Sequence, residues 1–483
     1  MTQEPTLGPA LAILLVPALA ALGLALVPAW RLAARLNVVA SGLTLASAAW
    51  LAAAPPAPTP LLLVDDFNLY LVLLTAFVGF TTSLFSAGYV AHELEDGRLT
   101  PRSLRFYHAM FQAFMLAMLL ALLANNLGLL WVAVEGATLT TVLMVSLYRT
   151  AAAIEAAWKY FILCGVGIAL ALFGTILMYL SAQPLLGGGA AAMTWTALLA
   201  VAPRIDPGVL DLAFVFLLVG YGTKVGLAPL NGWLPDAHAE GPTPISGVLS
   251  GLLLNVALYA VLRFKMLMGA NGQVLPPGTL MAAMGLATLL LAAFMLHRRR
   301  DMKRFFAYSS IEHMGLMAFA FGIGGPVANF AGLLHMTLHS LTKSAIFFAV
   351  GHVAQAAGTQ RMDRVTGLTA SHPALGWALV AGVAAIAGLP PFGLFMSEFL
   401  LVTSAFATHL VPASLLALGL LVGFAALVAR VQGMAFGPPM EGVRELRAPL
   451  APLYAHLALV LVAGVWLPPP LAAWFQSVAG MLG

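Results

Sequence analysis

The sequence predicts an all-α polytopic membrane protein, and three observations carry that prediction. Of its 483 residues, 61% are hydrophobic and only 8% are charged, whereas soluble domains carry about 25% charged residues. Apolar runs of about 20 residues, each long enough to cross hydrocarbon as a helix, recur along the whole chain. Basic residues collect in alternate connections, as they do in chains that cross a bilayer repeatedly. The single cysteine, Cys164, sits in an apolar run, so no disulfide framework, zinc pattern or iron–sulfur ligand set is expected. No glycine-rich phosphate cradle occurs either. The net charge of +4 does not point to nucleic acid, because the basic residues lie in short loops and act as topology signals.

About fourteen spans are expected, at roughly 7–30, 33–53, 67–90, 106–123, 127–148, 153–181, 209–235, 243–268, 278–297, 304–324, 327–356, 373–402, 411–436 and 449–475. The first lacks a basic n-region and a cleavage site, and reads as a retained span. One set of alternate loops holds Arg31, Arg35, Arg98, Arg102, Arg105, Arg149, Arg298, Arg299, Arg300, Lys303, Arg304, Arg361, Arg364, Arg430, Arg444 and Arg447. The other holds only Arg204, Arg263 and Lys265. The first set is therefore placed in the cytoplasm and both termini outside.

The remaining basic residues, Lys159, Lys224 and Lys343, fall inside expected spans. Lys224 follows the apolar run 212–219, and Pro229 interrupts its helix five residues later, flanked by Gly226 and Gly232. A lysine in hydrocarbon costs roughly 2.5 kcal/mol or more. The proline also frees backbone groups that lipid cannot satisfy, so the break must face protein or water. Charge beside a broken helix is how transporters build an ion site. Glu135 sits in an apolar span. Glu155 and Lys159 share a helix face. Glu312 and His313 lie in YSSIEHMG, and His335, His339 and Lys343 recur every four residues. Glu398 follows Pro390 and Pro391, which break a second helix.

This spacing suggests an internal repeat, with GLAPLNG answered by GLPPFG. Each unit holds five spans, and an odd number of crossings inverts the second copy. The chain then divides into an N-terminal three-helix segment (1–105), two inverted five-helix repeats (106–270 and 271–436), each with a broken helix, and a C-terminal helix (437–483).

Each charged group has a plainer reading. Lys224 fits a structural ion pair with Glu135 or a carrier that changes partner. The His335, His339 and Lys343 stripe fits helix–helix glue or a proton relay. His–x3–His also suits zinc, but no matched third ligand beyond Glu312 accompanies it, so no metal site is expected. Glu398 fits an interfacial carboxylate or a proton exit. Glu155 with Lys159 fits an interfacial salt bridge or a point of proton entry, and Asp236, His238 and Glu240, in a loop after the break, fit a polar turn or a proton-collecting funnel.

Together, GYGTKVGLAPLNGWLPDAH, WVAVEG, YSSIEHMG, LHSLTKSAIFF and AGLPPFGLFMSEF resemble the antiporter-like subunit superfamily over about 127–436. That superfamily supplies proton-channel subunits of respiratory complex I, of Mrp sodium/proton antiporters and of membrane-bound nickel–iron hydrogenases. RFFAYSSIEHMG and LHMTLHSLTKSAIFF are most similar to its hydrogenase-4 component F branch. The resemblance implies fourteen helices with two inverted five-helix units. It matches Glu135 to the family's glutamate on the fifth helix and Lys224 to the lysine on the seventh. His339 matches the central histidine of the eleventh, and Glu398 the charged residue of the twelfth. Asn255 stands where complex I subunits of this type commonly carry a lysine. Water held by Asn255 or Tyr259 would then have to bridge Lys224 to His335.

The expected function is proton translocation in a redox-driven complex of hydrogenase-4 or complex I type, located in a bacterial-type cytoplasmic membrane. The relay would run from Glu135 to Lys224, past Asn255, to His335, His339 and Lys343, then Glu398. Entry or coupling would involve Glu155, Lys159, Asp236, His238, Glu312 and His313. The chain would carry no redox cofactor and perform no redox catalysis. Nickel–iron or iron–sulfur centres would sit in a soluble arm, beside sibling membrane subunits. The rival readings are an Mrp-type sodium/proton antiporter subunit and a scaffold that conducts nothing.

Overall fold

A computed structural model describes residues 7–440 and 449–483. Arg444 and Arg447 lie outside the described residues. In order, the helices are α1 (Gly8–Leu26), α2 (Trp30–Ala53), α3 (Asp66–Glu95), α4 (Pro101–Leu123), α5 (Leu127–Val145), α6 (Ala151–Leu186), α7 (Trp195–Val201), α8 (Pro207–Val225), α9 (Trp233–Glu240) and α10 (Thr243–Val248). There follow α11 (Leu254–Gly269), α12 (Pro277–Leu296), α13 (Met302–Ile323), α14 (Gly325–Ala357), α15 (Leu368–Ser371), α16 (Pro373–Ile386), α17 (Gly393–Thr408), α18 (Leu410–Ala435), α19 (Ala451–Val465) and α20 (Pro469–Met481). Among the described residues the only β pairing is in isolated bridges.

Among the described residues, eleven helical segments are long and apolar enough to cross a membrane, or twelve if α19 and α20, bent by 82°, act as one span. Two expected spans fall short for physical reasons. The helix α13 carries Lys303, Arg304 and Glu312, and the stretch 373–402 is divided between α16 and α17, of 14 and 16 residues. The continuous segment Thr243–Gly269 is buried throughout its apolar window and α14 over 94% of its own, whereas α1 is buried over only 28%. The polar side chains of α11 and α14 therefore meet protein rather than lipid, which is where polar groups in a membrane can be satisfied.

The connections sort to two ends of the bundle. At one end Asp301 pairs with Arg361, and Arg98, Thr150, Glu240, Asp301 and Gln360 line one recess. At the other, Leu62 pairs with Ala124 and Asn126 with Thr194, and Asn271 Nδ2 donates to Ala202 O and Ile205 O, both at 2.9 Å. The basic connections around Arg98, Arg149, Arg300 and Arg361 thus share one end. Arg263 and Lys265, counted from sequence as loop residues at the opposite end, prove to lie buried within α11. Arg263 pairs with Asp65 at 2.8 Å, and Lys265 donates to Leu482 O at 2.8 Å.

Both helix breaks use the same cap. Gly226 ends α8 at φ 86°, and Leu227 N–H reaches back to Gly222 O at 2.9 Å. Gly388 follows α16 at φ 67°, and Leu389 N–H reaches Ala384 O at 3.0 Å. This is the Schellman geometry, which needs a left-handed residue and so favours glycine. The two breaks share one local order, Gly226, Leu227 and Pro229 in the first and Gly388, Leu389 and Pro391 in the second. The first break is satisfied by protein: Ala228 N–H donates to Thr288 Oγ1 at 2.9 Å and Trp233 Nε1 to Thr223 O at 2.8 Å. Asp236, His238 and Glu240, expected in a loop, belong to the short helix α9. The connection after α6 holds the short helix α7.

Candidate functional site

Two groups of buried titratable side chains lie beside the two breaks. In the first, Lys224 occupies the last turn of α8, where the carbonyl end of a helix favours a cation. Its side chain is fully buried. The ammonium donates to Thr138 Oγ1 on α5 and lies 5.5 Å from the centre of the Tyr160 ring on α6, within cation–π range. Thr138 spends its own proton on Val134 O at 3.0 Å, so its oxygen is left as an acceptor. Tyr160 is held by stacking on Trp233, ring centres 4.3 Å apart, and by Thr141 at 2.7 Å. Glu135 stands one turn before Thr138. Among the described residues no carboxylate, Glu135 included, is within ion-pair distance of Lys224, and Glu135 Oε2 is buried without a partner.

The second group joins α13, α14 and α17. His313 Nδ1 and His335 Nε2 are 3.0 Å apart, and His335 Nδ1 meets Ser397 Oγ at 2.9 Å. Ser397 donates its proton to Leu394 O at 2.8 Å, so it accepts from His335 Nδ1. His335 Nε2 is then the lone-pair nitrogen, and His313 Nδ1 is the donor to it. The His339 ring lies 5.6 Å from that of His313 and 6.3 Å from that of His335, and neither of its nitrogens has a partner. One turn further on, Lys343 is fully buried and donates to Phe306 O at 3.2 Å. Glu398 Oε1 stands 4.0 Å from His313 Nδ1. Its carboxylate folds back across the break against Gly388, where a Cβ would collide with it.

Between the groups, α10 and α11 are joined by a π-helical turn, Leu249–Leu253, a distortion frequent at functional sites. Asn255 Nδ2, just beyond it, donates to Ser340 Oγ at 2.7 Å and Met336 O at 3.1 Å, contacting α14 between the histidine turns. Tyr259 is committed to other partners. Its hydroxyl donates to Leu122 O and accepts from Arg263. Among the described residues, no direct hydrogen bond links Lys224 to the histidines.

Other candidates do not join the histidine contact. Glu312 turns away from His313, its carboxylate against Gly423 of α18, though still within electrostatic reach of Lys343 and Glu398. Glu155 and Lys159 pair at 2.7 Å on an exposed face. Lys159 also reaches Asp236 at 3.2 Å, and Arg304 binds Asp236 and Glu240. His238 is buried beneath this network, stacked on Phe347 at 4.9 Å, with both nitrogens unpartnered. Several polar groups escaped sequence reasoning. Thr138 and Ser397 are hydroxyls in apolar helices, a common sight that gives no signal. Glu93, not singled out from the sequence, is buried and takes hydrogen bonds from Tyr148 and Gln355, both at 2.9 Å.

Broken helices holding buried ionisable side chains inside a many-helix bundle define a class, the antiporter-like membrane subunit. Comparison with known proteins gives the family. The model for the NADH:quinone oxidoreductase/Mrp antiporter transmembrane region matches residues 124–423, and the chain belongs to that family. It is 55% identical over 473 residues to the hydrogenase-4 component F homolog of Methylacidiphilum infernorum, covering 98% of this chain and 99% of the relative. It is 30% identical over 418 residues to NADH-quinone oxidoreductase subunit N of Desulforudis audaxviator, covering 84% and 79%. In fold it is similar to a chain of the membrane-bound sulfane sulfur reductase, an archaeal respiratory membrane complex. There the TM-score is 0.87 at 24% identity, covering 99% of this chain and 98% of the other.

Proposed function

We propose that this chain is the proton-translocating subunit of a redox-driven membrane complex of hydrogenase-4 or complex I type. The observation that carries the reading is the direct contact between His313 and His335, oriented by Ser397 and flanked by Glu398 and Lys343. A neutral imidazole takes a proton on one nitrogen and releases one from the other, so this pair passes protons without leaving its place. Glu135 and Lys224 supply the driven end. When redox chemistry elsewhere moves Glu135 toward Lys224, the ammonium is favoured; when the carboxylate withdraws, burial favours release. Water spans the gap near Asn255, and His339 and Lys343 continue the path to Glu398.

In this reading the two broken-helix units are inverted repeats in a fourteen-span protein, the basic-rich end faces the cytoplasm, and both termini lie outside. Asp236, Lys159 and Arg304 form the cytoplasmic collecting surface. The electron chemistry belongs to a soluble arm with nickel–iron or iron–sulfur centres, alongside sibling membrane subunits. This chain's own residues do not fit such a centre, because one buried thiol, Cys164, falls short of the four a cluster needs. The test is proton uptake by vesicles carrying the assembled complex. Lys224→Ala should abolish it while the redox reaction and subunit composition persist. Uptake at the normal rate would make the chain a scaffold, and sodium-for-proton exchange without any redox partner would make it an Mrp-type antiporter subunit.

A further inference from the structure

We infer that His313, His335 and Glu398 form a binding site for a divalent transition ion of the zinc class. The sequence offered His335 and His339 as a pair, but the fold holds their ring centres 6.3 Å apart and supplies a different set from three helices. His313 Nδ1, His335 Nε2 and Glu398 Oε1 face one another, with the first two 3.0 Å apart and the first and third 4.0 Å apart. One ligand atom from each of the three residues lies within 4.8 Å of the others. Nitrogen and oxygen ligands reach zinc at about 2.0–2.1 Å, so neighbours around a tetrahedral ion stand about 3.3 Å apart. The two stated separations lie on either side of that spacing and the third is at most 4.8 Å, so side-chain movements alone bring the three atoms around one ion.

Two further observations point to a ligand here. His335 donates its Nδ1–H to Ser397 Oγ, which fixes the ring with its Nε2 lone pair aimed inward, the outer-shell arrangement typical of metal-bound histidine. His313 Nε2 and Glu398 Oε1 are both buried without a hydrogen-bond partner. Metal entry needs an ionised Glu398 carboxylate together with a change of tautomer at His313. Its proton moves from Nδ1 to the orphaned Nε2, so Nδ1 is freed to coordinate and neither histidine loses a proton. Imidazole and carboxylate ligands suit zinc and its neighbours in the first transition row, and two neutral imidazoles with one carboxylate leave a fourth position open, as in catalytic zinc sites.

An ion here occupies the contact through which His313 and His335 would exchange a proton. Metal binding stands on the geometry alone; arrest of translocation rests on the function proposed above. The experiment uses full-length, tag-free protein in detergent, titrated with Co2+ as a spectroscopic substitute and then with Zn2+. One equivalent of Co2+ should give the visible d–d absorption of a four-coordinate ion, and Zn2+ should displace it. His313→Gln and His335→Gln should each abolish the signal, while His339→Gln retains it. Stoichiometric binding that survives His335→Gln, or no binding by the unaltered protein, overturns the site. Should a histidine variant fail to fold, Ser397→Ala decides, since it keeps all three ligands but should weaken binding by about tenfold; unchanged affinity overturns the site. In vesicles carrying the assembled complex, Zn2+ should then stop proton uptake. Binding without inhibition would leave the site standing and remove the His313–His335 contact from the proton route.

Discussion

The neighbourhoods of Lys224 and His335 solve one problem with different means. Each keeps a titratable group out of lipid, beside a helix break, and each offers it a hydroxyl whose own proton is already spent. Thr138 bonds Val134 O and accepts from Lys224, while Ser397 bonds Leu394 O and accepts from His335. A hydroxyl so committed supports the protonated form of whatever donates to it. Beyond that the two diverge. Lys224 is a solitary cation against an aromatic face, poised to be swayed by one distant charge. The histidines touch each other, so a proton has somewhere to go. One region is built to be perturbed, the other to conduct.

That contrast is open to direct attack. The largest effect should come from His335→Ala, which removes the ring joining His313 to Ser397. Proton uptake by the assembled complex should fall about a hundredfold, the scale of a lost proton-transferring group, with subunit content unchanged on a native gel. Next comes Gly388→Ala. Its Cβ would strike the Glu398 carboxylate, and the left-handed backbone would add about 1–2 kcal/mol of strain. Uptake should match that of Glu398→Gln; a rate like the unaltered protein's would show that the folded-back carboxylate is dispensable. Thr138→Val should act more gently on transport and mainly on stability. It leaves a buried ammonium without its hydrogen bond at a cost of about 1–3 kcal/mol, and Thr138→Ser should recover most of the lost unfolding midpoint.

The smallest effect belongs to Arg361 and Asp363, an exposed pair at 2.6 Å outside the spans. The hydrogen bond from Arg361 holds the Asp363 carboxyl below its ordinary range. The sign follows: any stability from the pair is present above the ordinary carboxyl value and is lost as pH falls through the lowered one. Arg361→Ala should leave uptake unchanged and flatten only that acid limb of a melting-midpoint profile.

What could be read in advance divides along the same line. Lys224, Pro229, Pro390 and Pro391 announce themselves, because a charge or a proline in an apolar run is costly wherever the chain goes. The helical spans and the basic-rich connections follow from hydropathy and charge alone. Partnerships do not. Glu312 and His313 are adjacent letters about 100° apart around a helix, and one faces Gly423 while the other meets His335. His335 and His339 looked like a pair because they share a stripe, yet the closer partner of His335 comes from α13. Spacing reports which residues share a face; only the packing of α13, α14 and α17 decides which faces meet. Asp236, Lys159 and Arg304 show the same limit, since their network is assembled from α6, α9 and α13.

The wide turn at Leu249–Leu253 makes the helix behave as two rulers joined with an offset. It takes up more chain per turn than an α-helix does, so residues before it and residues after it no longer keep a common phase. Asn255 reaches Ser340 because of that offset. In a relative that runs straight through this stretch, the residue written in the same column would aim at a different neighbour. Matching such chains letter by letter would therefore pair side chains that never share a place in space.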